Sequence, residues 1–529
     1  LATATFVKDG FALPEAKSVS TFFTHDAVFV ATDFGKGSMT TSGYPRIVKL
    51  WERGTPLSAA KTLLEGKSED VAVSPIVFHT RGGSIPLIQR SVSFFESEYF
   101  LPASDGAWAK IDLPLSASVV GAQEGRFLVT LRDDWTPPGA QAPIPKGALV
   151  AVPIGPKISH VEVLYAPGPR DSVEQVSVGR DAVYVSIYKN VVGQVHVFRF
   201  DTAKSAWNDT TLALPAGGSV NIVSTNDFGP EAEFRFENFL TPTTLYADAG
   251  DNKPVAIKSL PPRFDASNLT SEQFEAVSKD GTKIPYFVTR PKVPKGPTPT
   301  VLYGYGGFEI SLTPSYSANF GRLWLSKGGI YVLANIRGGG EFGPAWHQAA
   351  LKENRQKAYD DFQAVAADLV KRGFTTPKQL GIMGGSNGGL LVGANMVERP
   401  DLFGAVVCQV PLIDMIRYTH IGAGASWIGE YGDPADPKAQ AYILKYSPYQ
   451  NVKPGVKYPP VFFVTATSDD RVSPVHARKM AAKMEAQGHD VMFYENTDGG
   501  HAAAADHRQA AEMWALSFVY LKRKLGLGT

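Results

Sequence analysis

Leu380-Gly381-Ile382-Met383-Gly384-Gly385-Ser386-Asn387-Gly388-Gly389, running on into Leu390-Leu391-Val392-Gly393-Ala394-Asn395-Met396-Val397, decides how this chain is read. The first four residues are apolar or small and lead in as a strand. The last eight lead out with helical spacing. Between them one serine stands among glycines. Strand, sharp turn, serine and helix is the geometry that exposes a serine hydroxyl as a nucleophile. The turn is strained, so it takes Gly where a Cβ would clash. The helix start sets backbone N–H groups and the positive end of a dipole beside the hydroxyl. The Asn387 N–H is then placed to stabilise an oxyanion.

A serine hydroxyl is a weak nucleophile until a base takes its proton, and the base must be oriented by a carboxylate. Where this turn is used, the chain order is Ser, then acid, then His. Downstream, Pro459-Pro460-Val461-Phe462-Phe463-Val464-Thr465-Ala466 reads as a buried parallel strand. It ends in Thr467-Ser468-Asp469-Asp470-Arg471-Val472. Carboxylates at the C-terminal end of such a strand sit where α/β sheets place their sites. Another strand, Val491-Met492-Phe493-Tyr494, runs into Asp498-Gly499-Gly500-His501. Acid and base thus arrive in the required order. Asp469 and Asp470 are adjacent, and pattern alone does not choose between them.

Four histidines follow Asp469. His476 lies in a helix opened by Ser473 and Pro474, where a surface position is expected. His489 follows Gly488, a helix-ending glycine, and reads as a turn residue. His507 starts the last helix. Only His501 lies on a Gly-rich loop after a strand, and it is the expected base.

These residues resemble the prolyl oligopeptidase family of serine peptidases. The resemblance runs from about Glu272 onward and rests on several motifs in order. They are Tyr303-Gly304-Tyr305-Gly306-Gly307-Phe308, Ala334-Asn335-Ile336-Arg337-Gly338-Gly339-Gly340-Glu341-Phe342-Gly343, Gly384 to Gly389, Arg399-Pro400-Asp401-Leu402-Phe403-Gly404, and Ser468 to Val472. The resemblance implies a Ser386, Asp469 and His501 triad, with the Tyr305 hydroxyl as second oxyanion donor beside the Asn387 amide. It also implies a first subsite in which Trp427 stacks on a proline ring, walled by Phe308, Leu412, Tyr431 and Val472. Arg471 matches an arginine that hydrogen-bonds a substrate carbonyl. A pyrrolidine is flat, apolar and lacks an N–H, so a ring-lined slot suits it. Arginine offers a fixed fork of donors for a carbonyl. The plainer roles are a core aromatic for Trp427 and an ion pair with Asp470 for Arg471. Leu412 stands where the family usually has a smaller β-branched residue, and Pro411 where many relatives have Gly. A branch that cuts after basic residues uses pocket carboxylates. Ser-Asn-Gly-Gly and Trp427 resemble the proline-cutting branch instead.

The 529 residues are too many for one core, so two domains are expected. The formal net charge is +1 and there is no Lys/Arg-rich block, which argues against a nucleic-acid partner. No apolar run approaches a membrane span. Cys408 is the single cysteine, so no internal disulfide forms. No zinc-type spacing occurs, and a serine mechanism needs no cofactor.

Up to about Lys258 the chain shows short alternating strands, among them Arg126–Leu131, Ala182–Tyr188 and Val195–Phe200, separated by polar turns. Such a pattern means a sandwich, barrel or propeller, and the resemblance selects a β-propeller. The family's propeller has seven blades, whereas this stretch has room for about four or five at roughly 45 residues each. The chain also opens on Leu1-Ala2-Thr3, already strand-like and without Met. The expectation is therefore an incomplete propeller over 1–263, joined to an α/β hydrolase domain with a mostly parallel, doubly wound sheet over 264–529. A hairpin whose turn holds Asp280-Gly281 opens the latter, and an N-terminal piece is expected to be missing.

The function expected is a serine endopeptidase acting on short peptides at the carboxyl side of proline. The alternatives are another acyl hydrolase on this fold, an aminopeptidase or esterase, and a non-catalytic peptide-binding propeller. Proline-containing oligopeptides are the expected partners, and a monomer is expected for the full-length protein. The compartment stays open between cytoplasm and bacterial periplasm.

Overall fold

A computed structural model describes residues 5, 7, 10–293 and 296–528. Leu1-Ala2-Thr3 lies outside these residues. Five four-stranded antiparallel sheets come first, each a simple meander. They run from Val19–Thr24 to Lys61–Glu65, Ala72–Thr80 to Trp108–Lys110, and Ala117–Gln123 to Glu162–Tyr165. The last two run from Asp171–Val178 to Ala206–Thr211 and from Ser219–Thr225 to Val255–Ser259. Alternation explains how they stack, since successive side chains on a strand face opposite ways. In Arg126–Leu131, Phe127 and Val129 pack with Leu87 and Tyr99 of the preceding sheet. Leu128, between them, packs with Val183, Val185 and Ile187 of the following sheet. Further seams join Phe29, Ala31 and Val48 to Val73 and Ile88, and Tyr184 and Val197 to Val220 and Phe234. Sheets buried on both faces and stacked in sequence are propeller blades.

The expectation of an incomplete propeller finds no support here, because all five blades carry four strands and each seam between successive blades is filled. The second part forms one sheet of eight strands. In spatial order these are Leu269–Val277, Lys283–Pro291, Ile330–Ala334, Thr300–Tyr303, Leu380–Gly385, Ala405–Gln409, Val461–Ala466 and Val491–Asn496. The first two strands pair antiparallel, and the last six run parallel to one another.

Both faces of this sheet are covered, which is why its central strands are mostly apolar. Ile382, Val406, Cys408 and Phe463 share one core with Phe362, Val365 and Leu369 of the helix Gln356–Lys371. Met383, Val407, Phe462 and Val464 point the other way, towards Phe518, Leu521 and Leu525 of the helix His507–Leu525. Because the six strands are parallel, the loops carrying Tyr305, Ser386, Asp469 and His501 all leave from one edge.

Candidate active site

The strand Leu380–Gly385 passes directly into the helix Asn387–Glu398, with Ser386 as the joint. Ser386 has φ 59° and ψ −118°, a left-handed conformation that a side chain rarely accepts. Close approach explains the surrounding glycines. A Cβ on Gly384 would stand 2.3 Å from the Gly388 carbonyl oxygen, and one on Gly389 2.6 Å from Pro411 Cβ. The Ser386 N–H donates to the Gln409 carbonyl at 2.9 Å and ties the turn to the next strand. The Asn387 N–H is the first of its helix and so has no acceptor within it.

The Tyr305 phenol meets the Ser386 side chain. Burial pushes this phenol up to about 12, and the contact with Ser386 pulls it back, so near neutrality it stays protonated and can donate.

Asp469 is buried, and its side chain is held from both oxygens. Oδ2 lies 2.7 Å from His501 Nδ1, and Oδ1 accepts from the Arg471 and Val472 amides at 3.1 and 2.9 Å. Asp470 points away to Lys17, two residues before the first blade, 3.1 Å off, with its side chain 70 % exposed. Arg471 is exposed, and among the described residues its side chain has no hydrogen-bond or ion-pair partner. The Asp470–Arg471 ion pair weighed above is therefore absent among them. No hydrogen bond joins the Ser386 hydroxyl to the His501 ring among the described residues. Such bonds are commonly long before substrate arrives.

The expected slot residues gather in one place. Leu412, Trp427, Tyr431 and Val472 belong to one buried cluster, with Phe308 packed against it. The Phe308 ring meets Trp427 edge-on at 6.5 Å and Tyr431 at 5.7 Å between centroids. The slot connects to the serine turn, because the Tyr431 hydroxyl donates to Asn387 Oδ1 at 2.7 Å. Phe94 of the second blade closes on Phe308 at 5.2 Å.

Sequence reasoning missed a polar cluster behind these rings. Glu430 and His347 are fully buried, and Arg355 is nearly so. Glu430 Oε1 accepts from Arg355 Nη1 at 2.8 Å and from the Phe308 amide at 3.1 Å, while Oε2 takes His347 Nε2 at 2.7 Å. Burial alone would raise the Glu430 carboxyl. His347, Arg355 and the Phe308 amide together hold it below the ordinary range. The available signal was Glu430 itself, a carboxylate between the singled-out aromatics Trp427 and Tyr431, which implies a buried cationic partner. His476 needs correction. It is buried rather than on the surface, its Nδ1 accepts from the Asp414 amide at 3.2 Å, and burial pushes it down to about 4.

A strained serine at a strand-to-helix turn, a carboxylate-held imidazole and a buried phenol on one sheet edge describe an α/β-hydrolase site beneath a propeller. Known proteins share this build. The family model described as "Prolyl oligopeptidase family" matches residues 314–528, and that of its N-terminal beta-propeller domain matches 17–256. An uncharacterized peptidase of Sinorhizobium fredii is 44% identical over 539 residues, covering 99% of this chain and 74% of its own. One of Rickettsia prowazekii is 34% identical over 99% and 75%. The structure of a post-proline cleaving enzyme from Rickettsia typhi superposes with a TM-score of 0.94 at 34% identity, over 99% of this chain and 79% of that one. The chain belongs to the prolyl oligopeptidase family of serine peptidases.

Proposed function

We propose that this chain is a serine endopeptidase that hydrolyses short peptides on the carboxyl side of proline. Residues 1–263 form its propeller domain and 264–529 its peptidase domain. One observation carries the specificity. The slot joined to the serine turn is lined by Phe308, Trp427 and Tyr431, and the carboxylate behind it, Glu430, already has both oxygens engaged. A substrate lysine or arginine would find no free anion there, whereas an apolar pyrrolidine needs none. The likeness to the post-proline cleaving enzyme of Rickettsia typhi points the same way.

In this reading Ser386 Oγ attacks the carbonyl of the proline residue as His501 Nε2 takes its proton. Asp469 keeps the ring oriented through Nδ1 and stabilises the imidazolium. The negative oxygen of the tetrahedral intermediate is met by the Asn387 N–H and the Tyr305 hydroxyl. His501 returns the proton to the leaving amine. Water then attacks the acyl-enzyme by the reverse sequence and frees Ser386. Arg471, whose guanidinium has no partner among the described residues, binds a carbonyl upstream of the cut bond. Leu412 and Val472 complete the slot wall. No step calls for a metal or cofactor. Digesting a peptide library, with Ser386→Ala as control, tests the proposal. Cleavage after proline that vanishes in the control is expected, and cleavage spread over other residues would overturn the specificity.

A further inference from the structure

The buried cluster behind the slot is unused by the steps above. Arg355 stands at its centre. One guanidinium nitrogen donates to Glu430 Oε1 at 2.8 Å, and another donates to Asn387 Oδ1. The same Oδ1 accepts from the Tyr431 hydroxyl, and Asn387 Nδ2 donates to the Tyr305 carbonyl at 2.6 Å. A guanidinium can only donate, so the Asn387 carboxamide has one permitted orientation, with oxygen towards Arg355 and nitrogen towards Tyr305. That side chain thus staples the start of the serine helix to the loop carrying the Tyr305 hydroxyl.

We infer that Arg355, anchored by Glu430, is a positioning residue for the oxyanion hole, acting through the Asn387 side chain on both donors at once. The inference rests on the reading of Ser386 as nucleophile, with the Asn387 amide and Tyr305 hydroxyl as its oxyanion donors. Energetics support a geometric role. A buried ion pair is a poor way to stabilise a fold, since apolar residues of similar volume commonly do as well or better. What apolar residues cannot do is hold Asn387 Oδ1 in place. Oxyanion donors act by being fixed before charge develops, so their supports matter through rate more than through substrate binding. Glu430 also extends the cluster in two directions. It holds the Phe308 amide, and it takes His347, whose other ring nitrogen meets Arg132 of the third blade. The propeller therefore abuts the same support that sets the oxyanion hole.

Three variants test this: Asn387→Ala, which keeps the backbone N–H; Arg355→Met with Glu430→Leu, which removes both charges together; and Arg355→Lys. Each is measured for melting temperature, for kcat and KM on a blocked Gly-Pro amide, and for the rate at which a fluorophosphonate labels Ser386. The expected result for Asn387→Ala and the double variant is kcat lower by roughly 10- to 100-fold, short of the loss from deleting a donor outright. KM should move less than about threefold, labelling should slow in step with kcat, and Arg355→Lys should retain part of the rate. Unaltered labelling in a folded Asn387→Ala overturns the inference, as does a rise in KM that accounts for the whole loss. Should the double variant fail to fold, Asn387→Ala decides alone. If the unaltered protein labels but does not cleave after proline, the proposed specificity falls and the labelling rates still judge Arg355. If it does not label, both readings fall.

Discussion

Asp469 and His501 meet through a single contact, Oδ2 to Nδ1 at 2.7 Å, while the other Asp469 oxygen is pinned by two backbone amides of its own loop. The carboxylate therefore has one orientation and offers the ring one oxygen. Asp470, its neighbour in sequence, faces the propeller and solvent instead.

This relationship separates the two aspartates experimentally. Asp469→Asn should lower kcat on the order of 10⁴-fold by favouring the wrong imidazole tautomer. Asp470→Asn should change kcat less than about threefold and stability by less than about 1 kcal/mol, since it loses only an exposed pair. Steady-state kinetics on both variants decide, and a reversed order would reject the assignment of Asp469.

The proposed specificity makes Trp427 the residue that stacks on the substrate's proline ring. Trp427→Ala should reduce kcat/KM for a proline substrate more than for its alanine counterpart, with a stacking contribution of about 1 kcal/mol. An equal loss on the two substrates would make Trp427 a packing residue only.

Gly384 has no room for a methyl group, because the Gly388 carbonyl occupies the space. Gly384→Ala should cost about 3 kcal/mol or more, as overpacking against backbone does. It should also abolish fluorophosphonate labelling of Ser386. A stable variant that labels at the normal rate would show that the turn tolerates what the geometry forbids.

Glu341 gives the fold a pH dependence with a definite sign. It is buried, one carboxylate oxygen accepts from the Leu312 amide at 2.9 Å, and the other has no partner among the described residues. Burial pushes its carboxyl from 4.5 up to about 8, against the opposing pull of that amide. Between these values the folded protein keeps a proton that the unfolded chain has lost. Its contribution is therefore fully present below about 4.5, declines as pH rises towards about 8, and is lost above that. Glu341→Gln should flatten this slope and stabilise the protein at pH 8.5 by on the order of 4 kcal/mol or less. Urea unfolding of both proteins at pH 5, 6.5 and 8.5 checks it, and parallel curves would reject it.

Much of this architecture could be read from residues. Ser386, Asp469 and His501 each follow a strand with its own apolar signal, and the strands form within a residue or two of the expected places. His476 was misread because Ser473 and Pro474 announce a helix but not its orientation. Met480 and Met484, four and eight residues on, lie on the same face and are buried with it, and that spacing held the missing information. Glu430 could have been noticed beside Trp427 and Tyr431, but its partners Arg355 and His347 become informative only when distant segments meet. The blade number fell within the expected range. The expectation of an incomplete propeller rests on a comparison with seven blades and on the strand-like start without Met, and the five four-stranded sheets lend it no support.

Parallel strand order has a consequence for how such a protein is made. Ser386 leaves the sheet's fifth strand, Asp469 its seventh, and His501 its eighth, at the outer edge. On the proposed mechanism, a chain emerging from the ribosome carries its nucleophile long before it carries a base. Hydrolysis begins only when Val491–Asn496 docks beside Val461–Ala466 and brings the His501 loop with it. On that mechanism a half-folded copy lacks its base, so catalytic competence arrives together with the last strand of the sheet.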